Sequence, residues 1–307
     1  MSVRLSLDAL RPTRRQAIAA CAASCSLLAP AYAEQQAGAV RFGISESLTG
    51  QMNLGDARAA MQVWLKRISE EFGLTLVYPP SVFEPFTSLA AALRNDALDG
   101  LISNIFEYRQ VMSLLDRSTI VIPVQKNRLR YVLVTRAGDN TKNLAALRAR
   151  KLLVLDNLYT SLAPVWLSNT LDEAGYPQPQ TFFAAVTKPT RATQAILPVF
   201  FGQADACLVT EHAFLTLCEL NPQVGLRLKP ILTSPEVATL LWTFGRKTSL
   251  KDQQRLVRIL EGIADTSVGR QVMTLFQCDR LTVRPGEFLQ PALAMLARAQ
   301  QRRTEGT

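Results

Sequence analysis

The chain has 307 residues, 48% of them apolar, with 34 Lys and Arg against 25 Asp and Glu for a formal charge of +9. One histidine, His212, and five cysteines without a CxxC leave too few parts for an ordinary zinc site or a histidine-based triad. Basic residues are scattered singly or in pairs among acids, with no interleaved aromatics, which excludes the clustered footprint of a nucleic-acid binder.

Residues 1–33 read as an export signal. Arg4, Arg11, Arg14 and Arg15 form a basic region, residues 17–30 an apolar run, and Ala31-Tyr32-Ala33 a cleavage site. The run is too short to span a bilayer, which takes about 20 apolar residues. Thr13-Arg14-Arg15-Gln16 adds a twin-arginine reading, set against a general secretory signal holding a chance Arg pair. Removal takes four Arg and one Asp, lowering the formal charge from +9 to +6 (9 − 3). Cys207, Cys218 and Cys278 remain; an oxidising compartment permits a Cys207–Cys218 bridge, but buried free thiols suit a strand and its following helix better.

In the mature part, residues 40–45 predict a strand ending in Ser45-Glu46-Ser47, and residues 56–72 an amphipathic helix stopped by Gly73. A second strand is expected at 74–78, broken by Pro79-Pro80, then a helix from Thr87 to about 95 and a strand at 100–103. Strands follow at 118–124 and 130–135. The pattern then restarts with a strand at 152–155, a helix at 161–174, a strand at 181–185, a helix at 193–200 and a strand at 206–209. Residues 231–233 and 239–243 are expected to return the chain to the first unit, where helices at 250–266, 268–276 and 288–302 pack.

The informative feature is a repeat. Ala97-Leu98-Asp99-Gly100-Leu101-Ile102-Ser103-Asn104 recurs 106 residues later as Gln203-Ala204-Asp205-Ala206-Cys207-Leu208-Val209-Thr210. That offset exceeds the roughly 20 to 50 residues of a solenoid repeat and implies two similar α/β lobes. Lobe 1 is expected to comprise residues 34–130 and 232–307, lobe 2 residues 131–231, with two crossings forming a hinge and a cleft between the lobes. Asp99 and Asp205 are expected to accept backbone N–H bonds ahead of each strand.

Four stretches carry a family resemblance over nearly the whole mature chain: Val40-Arg41-Phe42-Gly43-Ile44-Ser45, Leu98-Asp99-Gly100-Leu101 through Tyr108, Leu155-Asp156-Asn157-Leu158-Tyr159-Thr160-Ser161 through Pro164, and Gly202-Gln203-Ala204-Asp205-Ala206-Cys207. In order and spacing the chain resembles the PhnD-like phosphate, phosphite and phosphonate type of periplasmic substrate-binding proteins of ABC transporters. The resemblance implies a bilobal, type II periplasmic-binding-protein fold and a non-enzymatic role without cofactor or metal. It also implies a periplasmic location, a small anionic solute as ligand, and a permease and ATPase as partners, with the protein acting as a monomer. A protein presenting its solute to a signalling partner is the alternative, and an enzyme on the same scaffold a third reading.

The family grips phosphoryl oxygens with a Ser-Thr-Ser stretch, of which this chain keeps Thr160 and Ser161 and shows Tyr159 at the first place. A helix starting there has unsatisfied N–H groups and a positive dipole end, so an oxyanion gains hydrogen bonds; an ordinary helix cap is the competing use of the same hydroxyls. The family also tends to offer a histidine shortly before the Gly202 turn, where this chain has Lys188-Pro189-Thr190-Arg191-Ala192-Thr193. Lys188 and Arg191 are candidate cations, with a solvated loop the favoured reading. From lobe 1, Ser45, Tyr78, Asn104 and Tyr108 are expected at the ligand, Tyr108 by the resemblance; Phe83 is a wall or a core residue. Asn104 and Thr210 are a matched pair at strand ends, and Glu211 is placed to receive an ammonium group.

Overall fold

The computed structural model describes residues 39–50, 52–77, 80–126, 128–139 and 143–305. The expected signal (1–33) and Tyr78 lie outside the described residues. No helix among the described residues is long and apolar enough to cross a membrane.

Two mixed sheets form the framework. The first has six strands: β1 (Phe42–Ser45), β2 (Ser81–Glu84), β3 (Gly100–Asn104), β4 (Leu115–Val124), β10 (Leu240–Gly245) and β11 (Arg280–Pro285), in the order β11-β4-β10-β3-β1-β2. The second has five: β5 (Tyr131–Arg136), β6 (Lys151–Val154), β7 (Ala185–Thr187), β8 (Ala206–Thr210) and β9 (Leu228–Thr233), in the order β7-β6-β8-β5-β9. The chain passes between sheets after β4 and after β9. β9 pairs with β5 as far as Thr233↔Val132, so residues 231–233 belong to the edge of the second sheet and the return begins at Ser234.

The repeat is structural. β3 pairs parallel with β1 and antiparallel with β10, as β8 pairs parallel with β6 and antiparallel with β5. Asp99 Oδ2 accepts the N–H of Arg41 at 2.8 Å, and Asp205 Oδ2 accepts the N–H of Lys151 at 2.9 Å. Each aspartate thus binds the residue that leads into the neighbouring parallel strand, clamping its register, where the sequence suggests a bond within its own turn. Gly100 replaces the Ala206 of the second copy because a Cβ there would lie 2.5 Å from the Phe42 ring.

The helices are α1 (Leu54–Phe72), α2 (Phe86–Arg94), α3 (Ile105–Val111), α4 (Ala163–Glu173), α5 (Pro179–Phe182), α6 (Ala192–Phe200), α7 (Glu211–Leu220), α8 (Pro222–Arg227), α9 (Leu250–Gly262), α10 (Ser267–Leu275) and α11 (Gln290–Glu305). One apolar cluster holds Ile44, Met61 and Phe244 of the first sheet side with Leu256 and Met273; another holds Val134, Ile196 and Val209 of the second. The largest joins both sheets, from Leu101 and Ile122 to Leu133 and Leu208.

Three expectations fail locally. The strand at 74–78 is only a bridge, Val40↔Leu76, and the outer parallel partner of β1 is β2, beyond the proline pair, where the backbone can again donate hydrogen bonds. The strand at 181–185 is the helical turn α5 followed by β7, since Pro179 suits a first helical turn. β11 was not anticipated, although Leu281 and Val283 alternate with Arg280, Thr282 and Arg284 as a half-buried edge strand does. Cys207, Cys218 and Cys278 are free thiols.

Candidate functional site

A cavity of about 640 Å³ opens where the two sheets face each other. From the first unit it is lined by Ser47, Thr49, Asn104, Phe106 and the segment Leu275 to Gln277; from the second by Asp156 to Tyr159, Ser161, Thr190 and Arg191.

The first wall is a polar relay at the ends of β1 and β3. Asn104 Oδ1 accepts the N–H groups of Phe106 and Glu107, each at 2.9 Å, and Glu107 returns a bond to the Asn104 N–H, a capping box that seats α3. Asn104 Nδ2 donates to Ser47 Oγ at 2.9 Å, and Ser45 Oγ donates to Glu107 Oε1 at 2.7 Å. Ser45, 0% exposed, therefore supports the wall from behind. Ser47, carried outward by the 3-10 turn Glu46–Thr49, presents its hydroxyl to the cavity with its acceptor side held by Asn104.

The second wall is built from two helix starts that no side chain caps. α4 begins after Leu162 and α6 after Arg191, neither with a side-chain cap bond. α2 and α5 also start without a side-chain cap, behind Pro85 and Gln178, whereas α1, α3, α7, α9 and α10 are capped by Asn53, Asn104, Thr210, Ser249 and Thr266. Ser161 Oγ is buried and unpartnered, and exposed Arg191 lines the same wall as Asp156, the single carboxylate among the described lining residues. At α4 the Ala163 N–H is taken by the Thr160 carbonyl at 2.9 Å and Pro164 has none, so the open helix-start donors are those of α6; with the free Ser161 hydroxyl and the Arg191 guanidinium they make this wall fit for an oxyanion.

The remaining candidates have other places. Thr160 Oγ1 accepts the N–H of Asn157 at 2.9 Å and closes a turn with it, so its hydroxyl is occupied locally. Thr210 Oγ1 accepts the N–H of Ala213 at 3.1 Å, as the cap of α7; neither it nor Glu211 lines the cavity. Glu211 sits half-buried in the first turn of α7, its N–H bonded to the Arg130 carbonyl. Tyr108, 2% exposed, lies in the cluster that joins the sheets, and burial raises the pKa of its phenol. Phe83 is wholly buried, and Lys188 is exposed away from the cavity.

Tyr159 lines the cavity yet reaches out of it. Its ring, 3% exposed, packs into the first unit's cluster, its hydroxyl donates to the Phe276 carbonyl, and its own carbonyl accepts the Tyr131 hydroxyl at 3.0 Å. Burial, reinforced by Cys278 and Asp279, raises its pKa, so the phenol stays a donor. A residue from the second unit is thus bolted to the first.

Solved structures share this fold. The binding component of an ABC phosphonate transporter from Pseudomonas aeruginosa is 13% identical, with 88% of this chain and 89% of that one covered at a TM-score of 0.52. PhnD1 of Prochlorococcus marinus, solved with methylphosphonate, is 14% identical, covering 86% and 98% at 0.53. XAC2383 of Xanthomonas citri, solved with ATP, is 13% identical, covering 86% and 98% at 0.56. Among curated proteins no sequence matches this chain. Residues 51–283, more than half of the chain, match the family described as the periplasmic substrate-binding protein of phosphonate ABC transporters, and the chain belongs to that family of binding proteins, which are not enzymes.

Proposed function

We propose that the protein is exported through the signal in residues 1–33 and captures a small oxyanion, phosphonate-like or phosphate-like, in the cavity between its two lobes for an ABC permease and its ATPase. The observation that carries this reading is the buried, unpartnered Ser161 hydroxyl lining one cavity with the uncapped start of α6. Ser47 and Asn104 supply the opposing contacts, so a ligand touching both walls favours the closed arrangement. Both walls come from one chain, which supports action as a monomer. The lobes are read as residues 34–130 with the C-terminal part, and 131 to the end of β9.

Tyr159 narrows the ligand class. The phenol standing where the family has a small hydroxyl is turned onto the Phe276 carbonyl and gives the ligand no hydroxyl, and among the described residues the only lining cation is Arg191. The ligand is accordingly a small oxyanion held by N–H groups and hydroxyls around one guanidinium.

A thermal-shift panel of phosphate, phosphite, alkyl- and aminoalkylphosphonates, sulfonates and carboxylates tests the reading on the mature chain. A ligand at about 100 times its Kd adds roughly 2.7 kcal/mol of stability. A phosphorus oxyanion is expected to give the largest shift, and a shift from carboxylates alone would overturn the assignment.

A further inference from the structure

A second cavity, of about 400 Å³, lies beside the two connections between the sheets. Its walls are the outgoing segment with Lys126 and Arg128, the returning segment with Glu236 and Thr239, and the edge strand β11 with Arg280 and Arg284. It shares only Tyr159 with the cavity described above. Four cations against one carboxylate leave a surplus of three positive charges on its lining.

The pairing of these cations is uneven. Lys126 Nζ bonds Glu219 at 2.9 Å, and Arg128 faces Glu236 loosely at 3.6 Å. Arg284 reaches only the carbonyl of its neighbour Val283, at 3.3 Å, and lies over the Phe288 ring; among the described residues Arg280 and Arg284 have no carboxylate partner. They stand two pleats apart on one face of β11, opposite Val124 and Ile120, so both forks project on the same side. An independent observation points to the same space. Thr239, 1% exposed, lines the cavity with a buried hydroxyl that has no partner. Proteins rarely leave a buried hydroxyl unsatisfied, and such a group calls for a bound ligand, ion or water.

We propose that this hinge-side cavity is a second anion site, taking a small organic anion with a doubly charged oxyanion head. Arg280 and Arg284 hold the head through their planar forks, Thr239 adds a hydroxyl, and the rings of Phe288 and Tyr159 flank the body. The volume lies within the roughly 300–1,000 Å³ of small-molecule pockets. Because both interlobe connections form its walls, the occupant binds the arrangement in which they lie together, and so favours that arrangement.

Inorganic sulfate, titrated against chloride at matched ionic strength, probes the head-group site in the mature full-length chain, with stability followed by thermal melting. Wild type is expected to respond to sulfate beyond chloride. Arg280→Gln with Arg284→Gln is expected to weaken the sulfate affinity at least tenfold, and Arg280→Lys with Arg284→Lys, which keeps the charge and loses the forks, at least threefold. Ser161→Ala with Arg191→Gln, which alters the other cavity, is expected to retain the hinge-side response. Circular dichroism checks that each variant is folded; the single Arg280→Gln change, at an exposed edge position, serves if the double change is not. No sulfate response beyond chloride, an unchanged affinity in the Gln variants, wild-type affinity in the Lys variants, or a response lost only in the Ser161 and Arg191 variant would each overturn the proposal.

Discussion

Three hydroxyls offered by one kind of sequence signal have three different fates. Thr160 closes a turn, Thr210 caps a helix, and Ser161 is left without a partner at the cavity. A strand end followed by a helix needs a short polar side chain both for capping and for ligand contact, so residue type alone does not separate the two uses. Mutation does. Thr210→Ala is expected to cost about 1 kcal/mol in urea unfolding with ligand affinity unchanged. Ser161→Ala is expected to change stability by less than about 0.5 kcal/mol while weakening the ligand about tenfold, or roughly 1.4 kcal/mol. Equal affinities of Ser161→Ala and wild type would remove Ser161 from the site. Ser47 stands beside Ser45 in the sequence, but the choice between them depends on the 3-10 turn, which leaves Ser45 buried as its cap and carries Ser47 outward.

Cys278 shows the same dependence on surroundings. Burial, aided by Asp279 and opposed by the Tyr159 hydroxyl, pushes its thiol from an ordinary 9.0 up to about 12. The folded state therefore prefers the protonated thiol, and this contribution to stability is complete below pH 9 and lost as the pH rises from about 9 to about 12. Iodoacetamide at pH 8 is expected to leave Cys278 unmodified in the native protein and to modify it after unfolding, as read by peptide mass spectrometry. Rapid native modification at Cys278 would contradict the burial.

Among the elements, α11 bridges the two units. Its amphipathic stripe is readable, but a stripe does not name its partners, and the sequence points only to the first unit. In the structure it does touch the first unit, where Arg109 of α3 donates to the Leu296 carbonyl at 3.3 Å and to Gln300, but it also lies against α4 of the second: Asn169 Nδ2 donates to the Met295 carbonyl at 3.1 Å, and Arg298 pairs with Asp172 and Glu173. Ala292, Met295 and Leu296 join Leu167 and Leu171 in the shared apolar cluster. The helix whose start faces the cavity is therefore held at its far side by a helix that follows β11. Apolar packing should dominate this contact, because Arg298 is 41% exposed in its side chain. Arg298→Ala is expected to cost less than about 1 kcal/mol, shrinking further with salt, whereas Leu167→Ala should cost about 2–5 kcal/mol by urea denaturation. A comparable loss from both would mean that the ion pairs, not the cluster, fix α4. The repeat itself was legible because the helix, the Asp and the apolar strand all carry local signals, whereas the Asp99 and Asp205 clamps act across strands that are distant in sequence.

At the scale of the molecule, Tyr159 is one of the ties between the two units, and it is expected to limit how freely they part. Its substitution for a small hydroxyl stood out in the sequence, but the direction of the ring did not, because its acceptor, Phe276, lies 117 residues away on the other unit. The ring inserted in the first unit's cluster and the hydroxyl on the Phe276 carbonyl both resist opening, while Tyr131 fixes the backbone from which the ring projects. Removing the hydroxyl alone forfeits a buried hydrogen bond with a net worth of about 0.5–1.5 kcal/mol, and 1 kcal/mol changes a two-state ratio roughly fivefold. Tyr159→Phe is thus expected to raise the open fraction of the ligand-free protein, and Tyr159→Ser, which also withdraws the ring, to raise it further. Small-angle scattering should then give a radius of gyration increasing from wild type to Phe to Ser, with saturating ligand returning the Phe variant toward the wild-type value. If all three ligand-free proteins scatter alike, the lobes are held by the hinge and α11, and Tyr159 shapes the cavity without restraining its opening.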